Sequence, residues 1–127
     1  QLGSWVDSLS EKKNMGNIRV SRGEGVIAKT RCKLERHLGG QYKLALLKLH
    51  PETGRTHQLR VQASTRKMPI VGDKIYGDYA INRQIRKETK ISRMLLHASS
   101  IEFQLGPKMY KFKSSLPETF NKLTCKS

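Results

Sequence analysis

The stretch His50-Pro51-Glu52-Thr53-Gly54-Arg55-Thr56-His57-Gln58-Leu59-Arg60, followed shortly by Pro69-Ile70-Val71-Gly72-Asp73, fixes how the rest of the chain is read. Upstream of it, Tyr42, Leu44, Leu46 and Lys48 alternate with Lys43, Ala45, Leu47 and Leu49. This predicts a strand that turns apolar on both faces as it proceeds, as a central strand does. Pro51 and Gly54 end it. Downstream, the Thr56 hydroxyl can cap a helix running to about Lys67. Leu59, Val61 and Ala63 also alternate as in a strand, so helix and strand both stay open there until Pro69 and Gly72 close the segment.

Working outward, residues 26–36 place Ala28, Thr30, Cys32 and Leu34 on one face and mostly charged residues on the other, a half-buried strand. Ile18 to Ser21 predicts a shorter strand, and Gly39-Gly40 a hairpin turn. Residues 1–16 are polar and broken by Gly3-Ser4 and Asn14-Met15-Gly16-Asn17; they read as a loosely held arm. Between residues 82 and 93, Arg83, Arg86, Lys87, Lys90 and Arg93 recur at helical spacing and form one basic stripe. Residues 95–105 predict a strand, 109–114 its hairpin partner across Gly106-Pro107, and 117–123 a closing helical turn. The sum is a single α+β domain over residues 1–127 with a mixed, mainly antiparallel sheet and a few flanking helices.

The chain has 127 residues, 36% of them hydrophobic, which is enough for one core. Its 25 Lys and Arg against 10 Asp and Glu give a formal charge of +15. Such an excess repels itself, so a polyanionic partner is expected, with nucleic acid ahead of an anionic membrane. No apolar run approaches the length of a membrane span. The two cysteines, Cys32 and Cys125, have no spacing that suggests a disulfide, which points to a reducing cytoplasm. Gln1 is not a start residue and no signal peptide follows it, so the chain reads as a processed piece or a truncated one.

Arg55 and Arg60 each offer five donors in a rigid fork suited to phosphate or carboxylate. His57 and Gln58 can donate and accept at once, which suits reading a base edge or bracing a loop. The histidines and cysteines show no paired metal-ligand spacing, and no strained Gly-x-Ser-x-Gly turn or phosphate-binding glycine loop occurs. Asp73, in a turn between Gly72 and Lys74, reads as a loop-bracing carboxylate rather than a nucleophile.

Residues 51–61, Pro-Glu-Thr-Gly-Arg-Thr-His-Gln-Leu-Arg-Val, resemble the third motif of the RNA pseudouridine synthases of the ribosomal-large-subunit type. Residues 69–73 with Tyr76-Gly77 are similar to the loop that follows it. Arg93-Met94-Leu95-Leu96-His97-Ala98, Phe103 and Leu116-Pro117 resemble that family's closing strands and final turn. The resemblance covers about residues 25–123 in order, the C-terminal part of a catalytic domain.

It implies a mostly antiparallel sheet with RNA, ribosomal or transfer, held across a basic cleft. It also implies isomerisation of uridine to pseudouridine with no cofactor and no metal. Arg60 would form the salt bridge that holds the reacting aspartate ionised, and Leu96 would lie under the base. Arg55, His57 and Gln58 would brace the cleft or touch substrate, and Lys74, Arg83, Arg86, Lys87 and Lys90 would meet RNA. The family's aspartate sits in an Arg-Leu-Asp segment followed by Thr-Ser-Gly, with a stacking tyrosine further along. Both are expected upstream of Gln1, so the chain alone is expected to be inactive. The sheet would then be incomplete, with an exposed edge through which copies of the chain self-associate. The alternatives are a non-catalytic basic RNA-binding module and a ribosome-associated structural protein.

Overall fold

A computed structural model describes residues 2–14, 17–23, 25–38 and 41–124. The segment expected as a loose arm is instead the longest strand, β1 (Leu2–Asn14). Its first part pairs antiparallel with β3 (Val26–His37) and its last part with β2 (Asn17–Arg22), the exchange falling at Leu9, which faces both Val26 and Arg22. Trp5, Asp7 and Leu9 alternate inward and are buried. The inward polar residue Asp7 is what hides this alternation from a hydrophobic reading.

β4 (Ala45–Pro51) pairs with β3, giving the order β2-β1-β3-β4. Among the described residues β4 is therefore an edge strand, not the central one its doubly apolar sequence predicts. Its inner-facing residues are only half-buried. On β3 the expected alternation holds, with Ala28 and Thr30 buried and Cys32 and Leu34 half-buried. The hairpin turn expected at Gly39-Gly40 and the tail with Cys125 lie outside the described residues.

The open choice at residues 56–67 resolves to a helix, α1 (Gln58–Thr65), whose Val61 packs against Leu9, Val20 and Ala28 of the sheet. Thr56 does not cap it. The cap position is His57, held in the left-handed region at φ 52° with no side-chain cap bond. The left-handed turn residue is thus His57, while Gly54 is not among the positive-φ residues. α2 (Tyr79–Thr89) starts at Asp78, whose carboxylate accepts from the Ile81 amide. Ile85, Ile91 and Leu123 form a second core with Val71, Ile81 and Leu95 against it.

The predicted strand at 95–105 shortens to β5 (Ser100–Leu105), paired with β6 (Lys108–Lys113) across Gly106 at φ 62°. α3 (Glu118–Thr124) closes the described chain. The architecture is α+β with antiparallel sheets and few helices, as predicted. Among the described residues, no helix is long and apolar enough to cross a membrane.

Candidate functional site: the arginine clamp and its flanking grooves

The sequence 53–62 folds into a turn and helix start whose polar side chains close on one another. Gln58 is buried, and its amide is fully used. Its Oε1 accepts from the Thr53 hydroxyl at 2.7 Å and the Arg55 amide at 3.0 Å. Its Nε2 donates to the Lys29 carbonyl at 2.9 Å and to Thr30 Oγ1 at 2.8 Å. Gln58 acts as a brace, because no hydrogen-bonding capacity is left over. One turn on, Gln62 is wholly buried and does the same for β1 and β3. It accepts from Thr30 Oγ1 at 2.6 Å and donates to Asp7 Oδ2 at 3.0 Å and to the carbonyls of Trp5 and Ala28.

Arg60 points inward, with its side chain 18% exposed, and meets a carboxylate of this same chain. Its Nε donates to Asp73 Oδ2 at 3.0 Å and its Nη2 to Oδ1 at 2.8 Å, a bidentate pair. Asp73 has no exposed surface and also accepts from the Ile75 and Tyr76 amides. Burial pushes the Asp73 carboxyl up. The hydrogen bonds from Arg60, Tyr76 and Ile75 outweigh it and hold the group below the usual carboxylate range. Asp73 is thus a loop-bracing carboxylate, as its turn setting predicts. The bond to Asp73 in turn raises the pKa of Arg60 against the opposing effect of burial.

Tyr76 lies at the centre of this clamp. The Arg60 guanidinium sits 5.2 Å from its ring centroid and that of Arg19 5.6 Å. The Tyr76 oxygen accepts from the Val20 amide at 2.9 Å and shares a hydrogen bond with His57 Nδ1 at 2.7 Å. Burial and the Arg60 charge both lower the His57 pKa, against smaller pulls from Asp73 and Glu11, so the neutral ring is favoured. Tyr76 was legible only as part of a motif; that a hydroxyl ties β2 to the helix cap depends on chain folding.

Two grooves flank the clamp. One, of about 510 Å³, runs between the Leu9 and Val20 strands and the Gly54-Arg55-Thr56 turn. Arg55 is exposed there, with its Nε on the Ile27 carbonyl at 3.0 Å. The other, of about 270 Å³, lies between α2 and the Val71–Lys74 turn and has Lys74, Arg83 and Arg86 on its walls. Lys87 and Lys90 are exposed on α2 and beyond its end. Arg93 departs from the expected stripe. Its nitrogens bond the Met94 and Leu96 carbonyls, and its guanidinium covers the Phe120 ring at 5.8 Å. Leu96, in the segment between α2 and β5, is half-buried and lines neither groove.

A second ion-pair centre, which the sequence did not suggest, surrounds Asp7. Arg66 Nη1 reaches its Oδ2 at 2.7 Å and Arg22 Nε its Oδ1 at 3.6 Å. Burial raises the Asp7 pKa, but Arg66, Gln62 and Arg22 together lower it below the ordinary value. All three aspartates of the chain are therefore committed: Asp7 to Arg66, Asp73 to Arg60 and Asp78 to the start of α2.

No family model matches the chain. Among curated proteins it is 35% identical over 120 residues to the ribosomal large subunit pseudouridine synthase D of Borreliella burgdorferi, covering 94% of this chain and 33% of that protein. It is 42% identical over 103 residues to the ribosomal large subunit pseudouridine synthase C of Buchnera aphidicola subsp. Schizaphis graminum, covering 78% and 31%. To the tRNA pseudouridine synthase C of Vibrio vulnificus it is 44% identical over 61 residues, covering 48% and 25%. The chain thus spans about a third or less of the length of these relatives. In fold it is similar to human RNA pseudouridylate synthase domain containing 1, with a TM-score of 0.72 at 24% identity, over 90% of this chain and 48% of that one. Sequence likeness along most of its length and a shared fold together make the chain a member of the RNA pseudouridine synthase family, of the ribosomal-large-subunit type.

Proposed function

We propose that the chain forms one wall of an enzyme that isomerises uridine to pseudouridine in RNA, and that it is the C-terminal part of that enzyme's catalytic domain. In this reaction the N1–C1′ bond of uridine breaks and a C5–C1′ bond forms. The proton lost from C5 is matched by one gained at N1, so no cofactor is required. The nucleophile is an aspartate that these residues do not supply. The observation that carries this part is the commitment of all three aspartates to ion pairs or a helix cap.

Arg60 is assigned to hold that aspartate. Two of its nitrogens are spent on Asp73, and Nη1 is the one left to reach a second carboxylate across the cleft. A guanidinium held by Asp73 and stacked on Tyr76 is fixed before substrate arrives, so little ordering cost remains at the moment of reaction. Burial of the pair strengthens its attraction relative to water. Arg55 lines the larger groove, where its remaining donors suit phosphate or a base edge, and His57 is assigned to brace the Tyr76 hydroxyl beside the clamp. Leu96 is assigned to the apolar surface under a base flipped from its helix. Lys74, Arg83, Arg86, Lys87 and Lys90 are assigned to the RNA backbone.

Tritium release from C5-labelled uridine in RNA tests the reading. The 127 residues alone are expected to give no turnover, and turnover by them would overturn the assignment of the nucleophile elsewhere. In a longer protein that contains this chain and is active, Arg60→Ala is expected to abolish turnover while RNA binding falls less than about tenfold. Equal losses in both would sink the role given to Arg60. RNA binding by a longer protein that never turns over uridine would favour the non-catalytic module instead.

A further inference from the structure

We infer that the smaller groove is a subsite for one backbone phosphate of the RNA, built on α2 and fastened to the arginine clamp. The inference rests on the RNA reading above and deepens it. Tyr79, Asn82, Arg83 and Arg86 fall within one face of α2 by their spacing, and all four line the hollow. Lys74 enters from the opposite wall and Ser92 adds a hydroxyl. Val71 and Ile91 supply apolar surface, so charge meets the hollow from its sides.

Among the described residues no carboxylate lines the groove. The acids nearest in sequence are spent: Asp73 is buried on Arg60, and Asp78 caps α2. Glu88, further along α2, bonds the Gln41 and Gln84 side chains. Among the described residues Lys74, Arg83 and Arg86 take part in no ion pair.

Like charges one turn apart on a helix repel by a few tenths of a kcal/mol per pair. Compensation of the helix C-terminus accounts for Arg86 and Lys87 in the last turn of α2. It does not account for Arg83 and Lys74 facing the same hollow. An anion bound between them does. At about 270 Å³ the hollow is smaller than the ~300–1,000 Å³ of cofactor sites, which suits a phosphate rather than an enclosed ligand. Two guanidiniums favour that geometry, since each can meet a phosphate with two donors.

The groove is also fixed relative to the clamp. The Asn82 side chain accepts from the Gly72 amide at 2.9 Å and donates to the Asp73 carbonyl at 3.1 Å. Gly72 lies at φ 84°, and a Cβ there would overlap the Arg93 carbonyl, so the turn has no slack. A phosphate gripped by Arg83 and Arg86 is therefore held at a set distance from Arg60. The subsite positions RNA and takes no part in bond making.

The test uses the 127-residue chain, a short labelled single-stranded RNA containing uridine, and inorganic phosphate. Binding is measured across a salt series for the wild type, for Arg83→Ala/Arg86→Ala, and for Lys111→Ala/Lys113→Ala on the exposed β6 hairpin. Each lost phosphate contact takes roughly 0.7 off the slope of log K against log salt. The α2 variant is expected to lose about that much slope and five- to tenfold in affinity, and the β6 variant less than twofold. Phosphate alone should shift the Gly72 and Tyr79 amide resonances in the wild type and not in the α2 variant. RNA binding with an unchanged slope in the α2 variant would overturn the subsite and leave the RNA reading standing. Failure of the wild type to bind RNA in a salt-dependent way would overturn the RNA reading. A phosphate titration that leaves Gly72 and Tyr79 unmoved would overturn the subsite by itself.

Discussion

The α1 side of the four-stranded sheet and the β5–β6 hairpin are both amphipathic, yet they have opposite fates. On the sheet, Leu9, Val20 and Ala28 are covered by Val61 of α1, and the polar groups between them are consumed by Gln58, Gln62 and the two ion pairs. On the hairpin, Ile101 and Phe103 of β5 face Phe112 and Tyr110 of β6, Leu105 faces Lys108, and Ile101 and Leu105 are 60% and 66% exposed. Phe103 stacks on hairpin neighbours, Tyr110 at 5.3 Å and Phe112 at 6.1 Å. Alternation makes a strand; a covering element makes a core. Where α1 covers the sheet, charge is buried because each buried carboxylate has an arginine partner and hydrogen bonds of its own.

The contrast breaks most readily at Asp73. Asp73→Asn keeps the shape but leaves the Arg60 guanidinium, mostly buried, without its counter-charge. Removing one partner of a buried pair costs on the order of 3–5 kcal/mol. Arg60 keeps some access to water, so about 3 kcal/mol is expected, read as a lower urea midpoint with an unchanged slope. A loss under about 1 kcal/mol would mean that the clamp contributes little to the fold.

Acid sharpens the same comparison with a smaller effect. Asp7 and Asp73 both titrate lower in the fold than in the unfolded chain. Their contribution is whole above the unfolded carboxylate pKa and is lost as pH falls below about 4. His57 adds a weaker slope of the same sign. Its folded pKa is depressed, so the unfolded chain binds the proton first and stability slips as pH falls below about 6.5. Thermal midpoints from pH 7 to pH 3 should fall, most steeply in the last part, and Asp73→Asn should flatten that part. A midpoint that rises on acidification would contradict both signs.

The smallest effect belongs to the hairpin. Ile101→Ser and Leu105→Ser remove side chains already mostly in water, so each should change stability by less than about 0.5 kcal/mol. A loss above about 1.5 kcal/mol in the isolated chain would mean that this face is covered in solution.

How much of this was legible in the chain varies with the kind of signal. The half-buried alternation of β3 was readable because Ala28 and Thr30 recur at period two against charged neighbours. The β5–β6 turn was readable from Gly106-Pro107, and the basic face of α2 from its spacing. β1 was not, because the inward Asp7 breaks the apolar pattern and its counter-charge, Arg66, lies far along the chain. The central placing of β4 failed for the opposite reason. Apolar residues on both faces show what a strand can bury, not what stands beside it.

At the site, the sequence supplied the groups and the fold decided their partners. Arg60 was legible as a fork in need of an acid, and Asp73 as a turn carboxylate, but their pairing waited on the turn at Gly72. Gln58 could read a base edge or brace a loop until the Lys29 carbonyl and Thr30 hydroxyl came within reach. The order of residues by itself determined local shape, net charge and the motif that marks the family, since each depends on near neighbours or on simple sums. Which polar groups are spent and which still face a groove was settled only by tertiary structure, because hydrogen bonds and ion pairs depend on distances that chain order does not contain.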